Sequence, residues 1–315
     1  MKPEIAVLGN VWTEDVLRAL DGQFSCHFPA RMTQEERSAF ERDVAPGIRA
    51  VLTTGTVGLD AAGAAVYPSL EIVSVHGVGV DAVDLGAMKT RGIIVTNTPD
   101  VLTEDVADLA ASLLLTVSRR LPLLDRYVRA GGWEEKRPLS PARSLRGRVV
   151  GIYGYGRIGQ AVAKRLRAFG MEIRYYQRSE GPEPSLRCDS LLELAAASDF
   201  LVLAAPGGAA TRHAVDAAVL DALGPEGTLV NIARGTVVDE AALVAALSEG
   251  RLGAAALDVF EDEPRVPAAL RSMDNVVLTP HVGSFTVETR RAMARLAVGN
   301  LEEYFAGRPA LTPVV

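Results

Sequence analysis

Short apolar runs, separated by polar or helical stretches, form two series along the chain, which is the pattern of strands in parallel sheets. The first series comprises residues 5–8, 50–53, 70–75 and 93–96. The second comprises residues 148–153, 172–176, 200–204, 228–232, 254–259 and 275–279. The pattern therefore predicts an α/β protein with two doubly wound parallel-sheet domains.

The segments outside these series predict how the domains are connected. Apolar residues recur at helical spacing within 103–129, so we expect one helix there that joins the domains. A second helix is predicted at 284–306, because Thr286 and Glu288 suit its start and Gly307 its end. The remaining tail is too short for another strand series. The chain is thus predicted to return to the first domain (1–100 plus 285–315) after completing the second (101–284).

A glycine turn follows the first strand of the second series. The segment GYGRIG lies between VVGIY and the helical stretch GQAVAKRLRAFG. In this context, backbone amides and a helix N-terminus bind the pyrophosphate of a dinucleotide. The second domain is therefore predicted to be a Rossmann-type coenzyme domain. Its predicted ligands in the turn are Gly154, Tyr155, Gly156, Arg157, Ile158 and Gly159.

The end of the next strand predicts which coenzyme is preferred. An NAD site normally carries Asp or Glu there, to bind the ribose 2′-hydroxyl. Here EIRYY is followed by Gln177, Arg178 and Ser179. Neutral Gln177 would not repel a 2′-phosphate, and Arg178 and Ser179 could bind one. We therefore expect NADPH to be preferred and NADH to be possible; alternatively, Arg178 is only a solvated loop charge.

Three polar residues each end a later apolar run: Arg234 in LVNIARGTVVDE, Glu263 in AALDVFEDEP and His281 in VVLTPHVGS. Parallel strands present their carboxyl ends at one edge of a sheet, where ligands bind. A guanidinium, a carboxylate and an imidazole beside a dinucleotide suggest hydride and proton transfer to a small anionic substrate. Taken singly, the three could be a surface charge, part of an acidic loop and a core histidine.

Longer stretches of the sequence carry a family resemblance. They are SVHGVGVDAVDL, NTPDVLTEDVADLA, GIYGYGRIGQAVAKRL, NIARGTVVDEAALVAAL, GAAALDVFEDEP and VVLTPHVGSFTVETR. Through them the chain resembles the D-2-hydroxyacid dehydrogenase family over nearly its whole length. Within that family it is most similar to the glyoxylate/hydroxypyruvate and hydroxyphenylpyruvate reductases. The resemblance implies a Rossmann-type coenzyme domain inserted in a flavodoxin-like substrate domain.

The resemblance also implies roles for the strand-end residues. Arg234 would bind the carboxylate and carbonyl of a 2-keto acid through its planar fork. His281 would protonate the alkoxide that hydride transfer leaves, and Glu263 would hold the imidazole and favour its protonated form. Thr103, Pro206 and Asp258 would contact the coenzyme, with Asp258 on the nicotinamide carboxamide. Asp258 could instead be a strand-end cap.

On the substrate side, the resemblance points to two loops of the first domain, 53–58 and 76–79. Their small residues allow backbone amides to approach an anion closely. The predicted substrate ligands are Thr54, Val57, Val78, Gly79 and Phe285, together with Arg234 and His281.

Composition restricts the partners. The 315 residues carry a formal net charge of −6 without a dominant basic stripe, so we expect no nucleic-acid partner. Cys26 and Cys188 are far apart and lack CxxC spacing, which fits a reducing cytoplasm and gives no sign of a metal site. No signal peptide or membrane span is expected. The family resemblance implies a homodimer.

Two other functions stay open at this point. One is an NAD-dependent D-2-hydroxyacid dehydrogenase. The other is a binding protein that resembles the dinucleotide-sensing corepressors of this fold. A formate dehydrogenase fits less well, because such relatives have Gln where this chain has Glu263.

Overall fold

The computed structural model describes residues 2–9 and 12–315. The chain divides into two compact units. Unit 1 comprises Met1–Leu102 and Ser284–Val315, and unit 2 comprises Thr103–Gly283. The predicted boundaries lie at 100/101 and 284/285, and the assignment of unit 1 to substrate binding stays a prediction.

Unit 1 is built around a five-stranded parallel sheet. Its strands are β1 (Glu4–Val7), β2 (Ser25–His27), β3 (Ala50–Thr54), β4 (Ile72–His76) and β5 (Ile94–Thr96). Its helices are α1 (Glu14–Leu20), α2 (Gln34–Asp43), α3 (Ala61–Ala65), α4 (Leu85–Thr90) and, after unit 2, α12 (Val287–Phe305). The strand order β2-β1-β3-β4-β5 is the flavodoxin-like order, which places a ligand at the carboxyl ends of the strands.

The centre of this sheet is apolar on both faces, as expected for parallel strands covered by helices. All five residues of β4 are buried, and the Ser74 hydroxyl donates to the Ala297 carbonyl of α12 at 2.8 Å. Thr286 caps α12 by accepting a hydrogen bond from the amide of Thr289. The short edge strand β2 was not predicted, because Ser25–His27 has no apolar run and pairs only with β1.

Unit 2 is built around a six-stranded parallel sheet. Its strands are β6 (Val149–Tyr153), β7 (Glu172–Tyr176), β8 (Phe200–Leu203), β9 (Thr228–Asn231), β10 (Ala254–Leu257) and β11 (Val276–Leu278). Its helices are α5 (Thr103–Ser118), α6 (Leu121–Arg129), α7 (Arg157–Ala168), α8 (Leu191–Ala196), α9 (Ala217–Leu223), α10 (Glu240–Ser248) and α11 (Ala268–Ser272). All six predicted strands are present, and the predicted fold class of two parallel-sheet α/β domains is confirmed.

The strand order of unit 2 identifies its ligand-binding edge. The order is β11-β10-β9-β8-β6-β7, so the chain changes direction across the sheet between β6 and β8. Beyond β7, Arg187 forms a single parallel bridge with Tyr175, which stands where a Rossmann sheet has its third strand. Dinucleotides bind at such a switch point, outside the carboxyl ends of the strands.

The predicted single helix at 103–129 is wrong. The structure has two helices there, α5 and α6, which are separated at Arg120 by a left-handed backbone with φ of 53°. Pro122 lies in the first turn of α6, where its missing N–H costs nothing. A continuous helix would require that N–H, and the proline ring would collide with the carbonyl of Ser118. No helix in residues 2–9 and 12–315 combines the length and apolarity that a membrane span requires.

Candidate active site

The three predicted catalytic residues follow three neighbouring strands of unit 2. Arg234 lies after β9, Glu263 after β10 and His281 after β11, and these strands are adjacent in the sheet. Nδ1 of His281 lies 2.8 Å from Oε2 of Glu263, which is a hydrogen-bonding distance. The sheet thus brings together an imidazole and a carboxylate that are 18 residues apart in the chain.

Glu263 is held in its ionised form. Burial alone would raise the pKa of its carboxyl group, but the hydrogen bond and charge of His281 act in the opposite direction. The amide of Phe260, which donates to Oε1 at 3.2 Å, and the charge of Arg234 also favour the carboxylate. The net result is a pKa below the usual value for glutamate. The carboxylate can therefore stabilise a protonated imidazole beside it.

His281 presents its second ring nitrogen for chemistry. The side chain is 35% exposed, and its Nε2 has no hydrogen-bond partner among the residues that the structure describes. Because Nδ1 is occupied by Glu263, the ring is oriented and a proton can be delivered only from Nε2. A protonated imidazole in this position can act as a general acid that donates its proton from Nε2 only.

Asp258 fixes the loop that carries His281. Its carboxylate is almost completely buried and accepts hydrogen bonds from the Thr279 hydroxyl (2.7 Å) and the amides of Val282 (2.8 Å) and Gly283 (2.9 Å). Its backbone carbonyl also accepts from the amide of His281 at 2.8 Å. Burial raises the pKa of Asp258, against the effect of these donors. Asp258 is thus a strand-end cap that holds His281 at a left-handed φ of 53°. Its predicted contact with the nicotinamide stays a prediction.

Arg234 is positioned by close backbone packing. The side chain is half-buried, and its Nη1 donates to the Ala233 carbonyl at 2.9 Å. Asn231 supports the turn by donating to the Arg234 carbonyl at 3.0 Å. A Cβ on the next residue, Gly235, would lie 1.9 Å from the carbonyl carbon of Phe260. Only glycine therefore lets the loop after β9 lie directly against the loop after β10.

A second histidine–carboxylate pair supports these loops and was missed by sequence reasoning. Nε2 of His213 lies 2.7 Å from Oε1 of Glu261, which also accepts from Arg212 at 2.7 Å. The amide of His213 donates to the Thr236 carbonyl at 2.8 Å. The pair thus connects the loops after β8, β9 and β10. No local pattern indicates this pair, because its members are 48 residues apart and belong to no motif.

The glycine turn has the shape that a pyrophosphate requires. A Cβ on Gly154 would lie 2.5 Å from the Ala205 amide nitrogen, and one on Gly159 would lie 2.1 Å from the Gly154 carbonyl oxygen. The first and third glycines are therefore required by packing. Gly156 instead faces open space and precedes α7, whose N-terminus is not capped by any described side chain. This open face and the helix N-terminus fit a dinucleotide phosphate, with Arg157 and Ile158 in the first turn.

Tyr155 has a packing role. Its ring is almost completely buried and stacks on Tyr175, with ring centroids 4.1 Å apart. Its hydroxyl donates to Oε1 of Glu183 at 2.6 Å, and its amide donates to Oε1 of Gln177 at 3.1 Å. The predicted coenzyme contact of Tyr155 stays a prediction.

The ribose position differs from that of an NAD site. Gln177 accepts from Tyr155 through Oε1, and its Nε2 donates to the Glu180 carbonyl at 3.0 Å. Both functional atoms are thus engaged within the protein. Arg178 and Ser179 are exposed, and Arg178 has no hydrogen bond or ion pair with any residue that the structure describes. An exposed cation with no carboxylate partner among the described residues therefore lies at the position where the sequence predicts a 2′-phosphate to bind.

The remaining predicted coenzyme ligands lie in unit 2. Thr103 is half-buried at the start of α5. Pro206 is exposed after β8, and its carbonyl accepts from the Thr211 hydroxyl at 2.7 Å.

The predicted substrate ligands of unit 1 lie in loops after β3 and β4 and before α12. The Thr54 hydroxyl accepts from the Val57 amide at 3.1 Å, and the Val78 carbonyl accepts from Asn97 at 2.9 Å. Gly79 is half-buried, whereas Phe285 is 63% exposed. These loops share the carboxyl edge of the sheet of unit 1. Their contact with substrate stays a prediction.

Within the described part of the chain, no group of three or more His, Cys, Asp or Glu side chains is arranged to hold a metal ion.

Comparisons with known proteins place this site in a family. A model of the NAD-binding domain of D-isomer specific 2-hydroxyacid dehydrogenases matches residues 111–283. Over 284 residues, or 90% of each chain, the sequence is 53% identical to glyoxylate/hydroxypyruvate reductase A of Arabidopsis thaliana. It is 52% identical, again over 284 residues and 90% of each chain, to the hydroxyphenylpyruvate reductase of Plectranthus scutellarioides.

A solved structure is similar over the whole chain. The NADPH-dependent glyoxylate/hydroxypyruvate reductase of Sinorhizobium meliloti, in complex with NADP and malonate, has a TM-score of 0.91 and 43% sequence identity. The match covers 100% of this chain and 97% of that one. These findings confirm three predictions from the sequence: the family, the class of NAD(P)-dependent oxidoreductase and the dinucleotide cofactor.

Proposed function

The chain belongs to the D-isomer specific 2-hydroxyacid dehydrogenase family, and we propose that it reduces a small 2-keto acid to the D-2-hydroxy acid with NADPH. The substrates that we propose are glyoxylate, hydroxypyruvate or a related 2-keto acid. The similar reductases of Arabidopsis thaliana and Sinorhizobium meliloti, which act on the first two, support this choice.

One observation carries the proposal: Nδ1 of His281 is hydrogen-bonded to Glu263 at 2.8 Å, while Arg234 lies close enough to affect the pKa of Glu263. A proton donor oriented by a carboxylate, beside a guanidinium, is what reduction of a keto acid requires. The guanidinium neutralises the substrate carboxylate and polarises the keto oxygen. The imidazolium then provides the proton.

The reaction can be followed through the protein groups. NADPH, when bound, supplies a hydride to the keto carbon. Negative charge then develops on the keto oxygen, where the planar guanidinium of Arg234 stabilises it. His281 transfers its Nε2 proton to this oxygen and becomes neutral, and Glu263 keeps the ring in place. A proton from solvent restores the imidazolium for the next turnover.

The preference for NADPH rests on the end of β7. Gln177 carries no charge, and each of its functional atoms already makes a hydrogen bond within the protein, so it lacks the carboxylate that binds a free ribose hydroxyl at an NAD site. We propose that Arg178 and Ser179 bind the 2′-phosphate. The NADPH dependence of the Sinorhizobium meliloti reductase supports the same preference.

The substrate residues of unit 1 are proposed on the basis of their position at a sheet edge. Thr54 is the last residue of β3, and Val57, Val78 and Gly79 lie in the loops that follow β3 and β4. Amides in such loops can bind a carboxylate. Phe285 would form a wall of the pocket for the substrate side chain.

A steady-state assay tests the function. We expect the purified protein to oxidise NADPH in the presence of glyoxylate or hydroxypyruvate, and to do so with a higher kcat/KM than with NADH. Preference for NADH would support the NAD-dependent dehydrogenase instead. Binding of NADPH without turnover of any 2-keto acid would support the corepressor-like alternative.

We also propose a homodimer that forms through α6 and the segment after it. No residue of α6 is buried in the single chain, and Leu121 and Val128 are 50% and 53% exposed. Trp133, in the following segment, is 73% exposed. Val106 of α5 is buried in the single chain, so α5 is left out of the proposed contact. Light scattering at micromolar concentration should report a dimer that Trp133→Glu weakens, and a monomeric parent protein would refute the proposal.

We propose a cytoplasmic location for the enzyme. Both cysteines are free, and burial raises the pKa of each thiol, to about 11 for Cys26. Such thiols are unreactive and suit a reducing compartment. Cell fractionation with antibody detection would test the location, and recovery outside the cytoplasm would refute it.

A further inference from the structure

Arg290 is a half-buried cation for which no described residue provides an anion. Its guanidinium carbon lies 5.4 Å from the ring centroid of Phe285, and its Nε is buried without a hydrogen-bond partner. It forms no salt bridge with any carboxylate in the described ranges. The proposed reaction, which uses Arg234, Glu263 and His281, assigns no role to Arg290.

The position of Arg290 on α12 adds to this electrostatic cost. Thr286 caps the helix, so Arg290 lies at the end of the first turn, where the helix macrodipole is positive. Burial lowers the pKa of the guanidinium, which shows that the environment disfavours its charge. A cation that is opposed by both its helix and its burial is stabilised most by an anionic or oxygen-rich ligand.

His76, at the end of β4, provides a second orphaned polar atom within reach of the charge of Arg290. The residue is 4% exposed, and its Nε2 has no partner within residues 2–9 and 12–315. Burial, together with the charge of Arg290, lowers the pKa of His76 to about 4, so the ring is neutral at pH 7. Trp12 contacts the ring edge-on, with centroids 5.7 Å apart, and holds it in place.

These groups lie at the ligand-binding edge of unit 1. Ser74 bonds to the Ala297 carbonyl, which fixes α12 along β4. His76 is the last residue of that strand, and Arg290 lies two helical turns nearer to the start of α12 than Ala297. Both therefore lie at the carboxyl end of β4, the strand that precedes Val78 and Gly79.

We propose that Arg290 and His76, with the ring of Phe285, form a subsite for an oxygen substituent on the carbon beyond the keto group. Its ligands would be the hydroxyl of a 3-hydroxy-2-keto acid or a second carboxylate. The inference rests on the proposed function and adds the class of substrate: oxygen-bearing side chains are selected over hydrogen or an alkyl group. Arg290 is then a specificity-determining residue.

The test compares two substrates that differ by one hydroxymethyl group. kcat/KM with NADPH is measured for hydroxypyruvate and glyoxylate in the parent, in Arg290→Met and in the control Arg295→Met. Arg295 is an exposed arginine of the same helix. We expect Arg290→Met to lower kcat/KM for hydroxypyruvate about 10- to 100-fold more than for glyoxylate, as the loss of a charge-assisted hydrogen bond implies. Arg295→Met should leave the ratio unchanged.

Other outcomes decide against the subsite. An unchanged substrate ratio in Arg290→Met would overturn the proposal, as would an equal loss for both substrates. If Arg290→Met does not fold, Arg290→Lys and Arg290→Gln are compared in the same way, with Gln expected to lose more selectivity than Lys. An unchanged ratio in both would again overturn the proposal.

A binding experiment separates this inference from the proposed function. If the parent reduces neither substrate, the proposed function fails, and calorimetric titration with tartronate and with glycolate then tests the subsite alone. Tartronate carries one carboxylate more than glycolate. Tighter binding of tartronate that Arg290→Met (or Arg290→Gln) abolishes would support the subsite, and equal binding of the two acids by the parent would overturn it.

Discussion

Arg178→Ala should weaken the use of NADPH much more than that of NADH. Arg178 is exposed and has no hydrogen bond or ion pair among the described residues, so its removal breaks neither kind of interaction in the folded protein. A charge-assisted hydrogen bond contributes roughly 1.5–3 kcal/mol, and solvent exposure places this one near the lower end. Because a free-energy change of about 1.4 kcal/mol corresponds to a tenfold change in kcat/KM, the value for NADPH should fall about tenfold or somewhat more.

A second substitution uses the hydrogen bonds of Gln177. In Gln177→Asp, the bond from Nε2 to the Glu180 carbonyl is lost, and a shorter side chain places a carboxylate at the end of β7. The carboxylate would repel a 2′-phosphate and would offer an acceptor to a ribose hydroxyl. Combined with Arg178→Ala, it should move the preference further towards NADH.

The assay measures kcat and KM for both coenzymes at a fixed glyoxylate concentration. Arg271→Ala, at an exposed arginine of α11, is the matched control and should change neither coenzyme. Equal effects of Arg178→Ala on NADPH and NADH would refute the reasoning, and so would a parent enzyme that already prefers NADH. In either case Arg178 would be a solvated charge only.

Four further changes test the site. Arg234→Lys should lower kcat/KM by about 10² or more, since lysine keeps the charge but not the planar fork, and near-parental kinetics would contradict the assignment. His281→Ala should nearly abolish turnover while NADPH titrations still show binding; loss of binding instead would point to a structural role. As the pH is raised, the reductase activity of Glu263→Gln should begin to fall at a lower pH than that of the parent, because the imidazolium loses its anionic neighbour. An unchanged pH profile would argue against this role. The pKa of Glu263 is lowered in the folded state, so its carboxylate adds stability above a pH of about 4.3 that is lost as the pH falls through the folded value. Urea unfolding should thus show that the difference in the free energy of unfolding between the parent and Glu263→Gln becomes smaller at acid pH. Gly235→Ala should lower the melting temperature, because its Cβ would lie 1.9 Å from the Phe260 carbonyl carbon and overpacking costs on the order of 1–3 kcal/mol; an unchanged melting temperature would show that the loops can separate.

Local sequence patterns predicted the parts of the fold that depend on local chemistry. Apolar runs predicted all six strands of unit 2, and the polar residues that end three of these runs predicted that Arg234, Glu263 and His281 follow strands at one edge of the sheet. The glycine turn was recognisable because a strand and a helix flank it. Ser25–His27 was missed because it is half-buried, short and without periodicity, and its strand conformation depends on pairing with β1.

Contacts between distant segments were beyond the reach of these patterns. Nothing local indicates that His213 meets Glu261, or that the charge of Arg290 acts on His76. The two hydrogen bonds of Gln177 were also invisible, although its missing charge was read from the sequence. The break at Arg120 could have been found, because Pro122 in the predicted helix interior was a local signal.

The direct contact between Gly235 and the Phe260 backbone affects how active-site loops could be exchanged between relatives. No layer of side chains separates the loop after β9 from the loop after β10, so rotamer changes cannot absorb a difference in the shape of either one. The backbone conformation of each loop therefore restricts that of the other. A chimera should therefore take both loops from the same donor. The loop after β11 should come from the same donor as well, because it is bonded to Asp258 after β10 as well as to Glu263.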